Sequence, residues 1–148
     1  MGFNPSTEIL LDHAGRICES KGARLTDLRR EVLGLILDSD APTGAYDLLD
    51  RLRATRHGAA PPTVYRALEF LLEHGLVHKL ESLSSYVGCV SDADHAAQFL
   101  ICRTCGQVTE LDDHELAHAL EDAAKRLGFT VGKATIEAEG RCASCSGQ

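Results

Sequence analysis

The chain has 148 residues, of which 44% are hydrophobic and 25% are charged, as in a globular protein with one domain or two small ones. It contains no run of 18 apolar residues, which excludes a transmembrane helix. We also expect no membrane partner. The first residues lack the charged-then-apolar pattern of an export signal, so we expect a reducing, cytoplasmic environment. In that environment, the six cysteines favour metal binding over disulfides.

The net charge of −7 is unevenly distributed along the chain. Residues 1–80 hold 10 basic and 11 acidic side chains, whereas residues 81–148 hold 5 and 11. Two basic clusters lie in the first part, at residues 16–30 and at residues 51–66, and the second contains four arginines and no acid. Basic residues on one face can bind nucleic acid even in an acidic protein. A solvated helix surface has the same pattern, so the clusters alone leave both interpretations open.

Apolar residues at helical spacing predict four helices in the first half of the chain. Their predicted ranges are 6–21, 26–39, 45–56 and 61–75, with a turn at residues 41–44. Ser6 or Thr7 can cap the first helix and Thr26 the second, while Gly75 ends the fourth.

Two short β-prone runs follow the helices, at residues 76–82 and 84–90, with a serine-rich turn between them. This pattern predicts a hairpin. Helices followed by a hairpin indicate a winged helix-turn-helix unit, in which the fourth helix is the recognition helix.

The N-terminal end of a recognition helix meets base edges and phosphates, and here it offers Thr63, Tyr65 and Arg66. The forked guanidinium of Arg66 can bind guanine O6 and N7, and Tyr65 can contact a thymine methyl or a phosphate. We add Arg24, from the first basic cluster, to the predicted DNA-binding residues. The alternative is that this stretch only packs a helical bundle.

The second half of the chain predicts a small α+β unit. Strands are expected at residues 99–103 and 107–111, a helix at 114–127 and a further β-prone run at 129–139. Asp113 can cap the helix, and Gly128 ends it. The apolar face of this helix is expected to consist of Leu116, Leu120, Ala123, Ala124 and Leu127. A unit of about 55 residues has a thin core, so a bound metal and a second subunit are both expected to stabilise it.

Two C-x-x-C pairs lie in this second unit. They consist of Cys102 and Cys105, and of Cys142 and Cys145. Four thiolates from two such turns form the tetrahedral shell of a structural zinc site, and Gly106 permits the tight turn after the first pair. The 36 residues between the pairs exceed the usual 15–20, so a helix and a strand should lie between them. The alternative is two redox-active or buried cysteine pairs.

Further candidate ligands surround the hairpin and the first cysteine pair. They are His78, Glu81, Cys89, Asp92, Asp94, His95 and Glu110. His78 and Cys89 fall on the two hairpin strands, whereas His95 and Glu110 belong to the second unit. Two imidazoles, one thiolate and one carboxylate are an acceptable zinc shell, and a site drawing on both units can bias their relative orientation. The alternative is two surface histidines and a buried thiol.

Residues 114–118 read H-E-x-x-H, the motif of zinc metallohydrolases. Asp113 is the expected helix cap, so the motif begins in the first turn of the helix, where acidic residues complement the helix dipole. No clear third ligand follows it. A metallohydrolase is therefore an alternative that the context disfavours, and we expect no enzyme activity.

Taken together, residues 9–145 resemble the ferric-uptake-regulator superfamily, and within it the zinc-uptake-regulator branch. The resemblance is carried by RLT at 24–26, PPTVYRALEFL at 61–71, the hairpin, and the CxxCG and CxxC motifs in their order. It implies a homodimer with a winged-helix DNA-binding domain at residues 1–90, a hinge at 91–98 and a zinc-stabilised α/β dimerisation domain at 99–148. It also implies two zinc ions per chain.

Carried over by position, the four cysteines hold the structural zinc, and the regulatory zinc ligands are His78, Cys89, His95 and Glu110. The iron-sensing branch has a histidine-rich run before the first C-x-x-C, where this chain retains only His95. The resemblance therefore implies a zinc-responsive repressor that binds an inverted-repeat DNA operator and has no small-molecule substrate. The alternatives are a sensor of iron, manganese or peroxide from the same family, and a zinc-stabilised interaction module.

Overall fold

The computed structural model describes residues 2–90, 97–132 and 134–147. The chain divides into two compact units, Met1–Asp92 and Ala93–Gln148. The first combines four α-helices with a three-stranded sheet, and the second combines one α-helix with another three-stranded sheet. The predicted α+β class is therefore confirmed. The predicted hinge at 91–98 remains a prediction, and the first strand of the second unit begins inside that range, at Ala97.

The first unit contains four helices and a small antiparallel sheet. In chain order its elements are α1 (Pro5–Ser20), α2 (Asp27–Leu37), β1 (Thr43–Gly44), α3 (Ala45–Leu52), α4 (Pro61–Glu73), β2 (Val77–Leu80), a 3-10 turn (Glu81–Leu83) and β3 (Ser85–Gly88). The strand order is β1-β3-β2, with His78 opposite Val87 in the hairpin. The four predicted helices and the hairpin are present, as a winged helix-turn-helix requires.

Three details of this unit differ from the prediction. The cap of α1 is Asn4, whose side chain accepts from the backbone N–H of Thr7 at 3.0 Å, because Pro5 suits the first helical position and moves the start of the helix forward. Helix α3 ends at Leu52, and the residues after it form a turn held by bonds to the Leu52 carbonyl. The predicted turn at 41–44 includes β1, which pairs with β3 and buries Thr43.

The core of the first unit is a single apolar cluster. Its fully buried large side chains include Leu11, Leu33, Leu48, Leu52, Leu68 and Leu71. Two glycines allow close packing against this core. A Cβ on Gly34 would collide with the Phe3 ring, and a Cβ on Gly88 would collide with Leu37. The end of β3 therefore lies directly on the end of α2.

The second unit contains β4 (Ala97–Cys102), β5 (Val108–Leu111), α5 (His114–Arg126) and β6 (Thr135–Gly140). The sheet order is β5-β4-β6, with β4 antiparallel to β5 and parallel to β6. Strand β6 begins six residues later than the predicted β-prone run. Phe129 is 64% exposed and lies before the strand, so its apolar side chain does not mark the start of β6 as the sequence pattern predicts.

Helix α5 is joined to the sheet through a buried amide. Gln98, 2% exposed, donates to the backbone carbonyl of Asp113 at 3.0 Å and accepts from the Asp113 N–H at 3.2 Å. The Asp113 side chain caps α5 as predicted. No side chain of α5 is fully buried, although every residue of this helix is described, and Leu116 and Leu120 are 37% and 38% exposed. The apolar face that the sequence predicted is thus not covered within one chain.

No helix in the described part of the chain is long and apolar enough to cross a lipid bilayer.

Candidate metal centre and nucleic-acid interface

The structure brings the two C-x-x-C pairs into one cluster. The four sulfur atoms of Cys102, Cys105, Cys142 and Cys145 all lie within 4.8 Å of one another. The Cys105 and Cys142 sulfurs are 3.8 Å apart, which is the edge of a tetrahedron with Zn–S bonds of about 2.3 Å. None of the four forms a disulfide. This geometry fits a closed zinc–thiolate shell better than two separate cysteine pairs.

The parallel pairing of β4 with β6 explains how cysteines so distant in sequence meet. Cys102 lies opposite Gly140 in the register, and the Arg103 N–H donates to the Gly140 carbonyl at 2.8 Å. The Arg103 guanidinium also contacts the Glu139 carboxylate at 3.1 Å. Strand β5, helix α5 and strand β6 occupy the 36-residue gap. Sequence reasoning missed Arg103 and Glu139, because their role depends on a register that only the folded sheet shows.

The pKa values of two thiols in the cluster, Cys102 and Cys145, are shifted in opposite directions. Backbone N–H groups of Cys105 and Cys142 stabilise the Cys102 thiolate and lower its pKa to about 5. Hydrogen bonds with the Cys142, Cys102 and Cys105 sulfurs stabilise the protonated form of Cys145 and raise its pKa to about 12. Four sulfurs this close cannot all be thiolates unless a cation compensates their charge. A divalent metal that binds here must therefore displace a proton from Cys145.

Two of the four predicted regulatory ligands lie together in the first unit. The ligand atoms of His78 on β2 and Cys89 just after β3 are within 4.8 Å of each other, and both side chains are half-buried. The Cys89 N–H donates to the Leu76 carbonyl at 2.9 Å, which extends the β2–β3 pairing to Cys89. Glu110 is exposed on β5 of the second unit. His95 lies outside the described residues, so the full ligand set stays a prediction.

Helix α4 presents the predicted DNA-binding side chains on its outer face. Val64 and Leu68 are buried in the core, whereas Tyr65 is 44% exposed and Arg66 is also exposed. Thr63 is half-exposed in the first turn. The same helix therefore packs the bundle and offers a polar surface, so the two interpretations of its sequence are compatible.

The basic clusters are only partly available to a ligand. In the second cluster, Arg51 pairs with Asp47 at 3.0 Å and Arg56 pairs with Glu31 at 2.8 Å. Within residues 2–90, 97–132 and 134–147, no carboxylate forms an ion pair with Arg24 or Arg66, and both side chains are exposed. These two arginines are therefore free to meet an anionic partner.

Among the described residues, the H-E-x-x-H motif takes part in no cluster of metal-binding side chains. Asp113 caps α5 and His114 is the first helical residue, so the motif occupies an exposed first turn. His118 lies 3.9 Å from Glu121, but among the described residues the motif histidines join no group of three metal-binding side chains. The motif is therefore explained as the N-terminal end of a helix, where acidic residues interact favourably with the helix dipole.

Comparisons with known proteins agree with this architecture. Residues 20–139 match the ferric uptake regulator family model. The chain is 46% identical to the zinc uptake regulation protein of Escherichia coli over 146 residues, which cover 95% of this chain and 83% of that protein. It is 33% identical to the zinc uptake regulation protein of Mycobacterium tuberculosis over 127 residues, which cover 84% of this chain and 95% of that protein. A solved zinc uptake regulator complexed with zinc and DNA matches with a TM-score of 0.89 and 43% identity over 97% of each chain. The chain therefore belongs to the ferric uptake regulator family.

Proposed function

We propose that this protein is a zinc-responsive, sequence-specific transcriptional repressor that controls zinc uptake. The observation that carries the proposal is the pairing of His78, on wing strand β2, with Cys89, just after wing strand β3, in a DNA-binding unit. An imidazole and a thiolate beside each other favour zinc, since a soft thiolate ligand is not preferred by manganese. Similarity to zinc uptake regulators, one of them solved with zinc and DNA, supports the same function.

The two candidate sites would have different roles. The four-cysteine cluster would hold a structural zinc that stabilises the second unit, because it is a closed shell of four thiolates. His78, Cys89, His95 and Glu110 would hold a regulatory zinc, giving two zinc ions per chain. His78 and Cys89 belong to the DNA-binding unit, while His95 and Glu110 belong to the other unit. Zinc at this site would therefore couple the two units.

This coupling would make DNA binding depend on zinc. With zinc bound, the two winged helices of a homodimer would have the spacing of an inverted repeat, and without it they would sample other orientations. A shift from 1% to 99% of the binding-competent state requires about 5.5 kcal/mol of differential affinity, which coordination of one Zn²⁺ can supply. Repression follows if the bound dimer blocks access of the polymerase to the promoter.

A second subunit would cover the exposed apolar face of α5. Leu116 and Leu120 on this helix are partly exposed in the single chain. A unit with few fully buried side chains gains most from burying such a face in a dimer. The homodimer would act in the cytoplasm, where its operator DNA lies.

DNA recognition would use the exposed side chains of the first unit. Arg66 would bind a guanine edge, Tyr65 a thymine methyl or a phosphate, and Thr63 and Arg24 the backbone. The metallohydrolase alternative is wrong, because the chain belongs to a family of regulators.

The test is DNA binding by the purified protein across buffered free zinc, using a duplex that the zinc-loaded protein selects from a random pool. We expect tight binding only when the second zinc is loaded. Binding that responds to Fe²⁺ or Mn²⁺ but not to Zn²⁺ would leave the family intact and refute zinc sensing. Weak, strongly salt-dependent binding to every duplex would instead favour a zinc-stabilised interaction module.

A further inference from the structure

The side chain of Arg29, on the first turn of α2, connects two parts of the DNA-binding unit. Its Nη1 donates to the backbone carbonyl of Arg24 at 2.8 Å. Its guanidinium carbon lies 3.8 Å from the centroid of the Phe70 ring on α4. One half-buried cation thus joins the α1–α2 loop to the recognition helix by a hydrogen bond and a cation–π contact.

Neighbouring contacts reinforce this connection. The Phe70 ring packs against the His74 ring at 4.3 Å, and Lys21 donates to the His74 carbonyl at 3.3 Å. Lys21, at the start of the loop, therefore contacts the C-cap of α4, while Arg29, beyond the loop on α2, contacts Phe70 near the C-terminal end of α4. Ala23 and Leu25, on either side of Arg24, pack against the core, so the Arg24 side chain is directed outward.

The contacts of Arg29 differ from those of the other arginines nearby. The guanidinium of Arg30, the next residue, forms ion pairs with Glu8 and Asp12 on α1, at 2.7 and 3.0 Å. Arg29 instead directs its charge to a carbonyl and an aromatic face. A planar guanidinium can satisfy both at once, whereas the compact ammonium of lysine cannot.

We propose that Arg29 is a positioning residue for DNA recognition: it holds the Arg24 loop in a fixed place relative to α4, so that Arg24 and Arg66 meet the duplex together. The inference rests on the proposed function. If Arg29 were absent, the loop would have to be ordered on binding, and that entropic cost would lower affinity. In this proposal Arg29 acts through Arg24 and does not itself touch DNA.

The experiment measures affinity and its salt dependence for the zinc-loaded full chain, using the duplex that the wild-type protein selects from a random pool. The variants are Arg24→Ala, Arg29→Ala, their double variant, Arg29→Lys and Phe70→Leu, with Arg30→Ala as the matched control. Circular dichroism melting checks that each variant is folded. If the wild-type protein selects no duplex, the proposed function fails before any variant is compared.

We expect Arg24→Ala to lose about tenfold in affinity and about one unit of salt slope. Arg29→Ala should lose a similar factor, and the double variant should be no weaker than Arg24→Ala alone. Phe70→Leu removes no charge, so a loss of affinity there reports positioning. Arg29→Lys should recover only part of the affinity, and Arg30→Ala should keep the wild-type slope.

Two results would overturn the proposal. If the effects of Arg24→Ala and Arg29→Ala multiply, Arg29 acts independently of Arg24, as a direct DNA contact would. If folded Arg29→Ala and Phe70→Leu both bind as the wild-type protein does, the contacts of Arg29 with Arg24 and Phe70 have no role in recognition.

Discussion

Replacing Cys102 by serine should unfold the second unit while leaving the first unit folded. Within the described residues of the second unit, the fully buried side chains all lie on β4, and the large ones are Phe99 and Ile101. Burial of each contributes about 1.5–3 kcal/mol. A structural zinc site contributes about 10–16 kcal/mol of folding free energy in small zinc domains. The cysteine cluster is therefore the larger contribution, and its loss cannot be offset by this core.

The first unit has no such dependence, because it buries a continuous cluster of leucines, valines and isoleucines from four helices. The assay combines metal counting, limited proteolysis with mass spectrometry, and thermal unfolding. For Cys102→Ser we expect less bound zinc, rapid cleavage after about residue 97, and a protected fragment that corresponds to the first unit.

Cys18→Ala is the matched control, since Cys18 is a buried thiol of the first unit and lies far from the cluster in sequence. It should cost about 1 kcal/mol of stability and keep the zinc content. A Cys102→Ser protein with wild-type zinc content, or with a protease-resistant second unit, would refute the reasoning.

Three further predictions concern DNA contact, packing and pH. Arg66→Ala should weaken operator binding by about 1–3 kcal/mol and relax base preference without changing the melting temperature, because the side chain is exposed. Gly88→Ala should lower the free energy of unfolding, measured with urea, by about 1–3 kcal/mol, because the added methyl group collides with Leu37. The double variant Gly88→Ala/Leu37→Ala should lose less stability than the sum of the two single variants. The zinc affinity of the cluster, measured by chelator competition, should rise at least about tenfold per pH unit between about pH 6 and 8. The reason is that Cys145, whose pKa is raised to about 12, must lose a proton when zinc binds. Cys102, whose pKa is lowered to about 5, is already a thiolate in this range. A pH-independent affinity would contradict this last account.

The helices of the first unit could be predicted from sequence because their signals are local. Apolar periodicity marks the buried faces, and Thr26 caps α2 as its position before the periodic run suggests. The sequence predicts Ser6 or Thr7 as the cap of α1, whereas the structure has Asn4. All three side chains can cap a helix, and only the preference of Pro5 for the first helical turn favours Asn4. Strand β1 has two residues, which is too short for any periodic signal.

The cysteine cluster could also be predicted, because each C-x-x-C turn places two sulfur atoms at the separation that a zinc ion requires. The contacts that bring the turns together could not, since the parallel β4–β6 register and the Arg103–Glu139 pair are long-range features. Arg29 gave no sequence signal for the same reason: its partners, Arg24 and Phe70, lie on different elements. The sequence predicts the apolar face of α5, but it does not show that this face is exposed in the single chain.

The most direct test of zinc sensing compares Cys89→Ser with the wild-type protein at the same buffered free zinc, with zinc content and operator affinity measured on the same samples. We expect that Cys89→Ser stays folded, retains the zinc of the cysteine cluster, lacks the second zinc and does not bind the operator at any zinc level that saturates the wild type. A folded Cys89→Ser protein that binds the operator with the wild-type zinc dependence would contradict it.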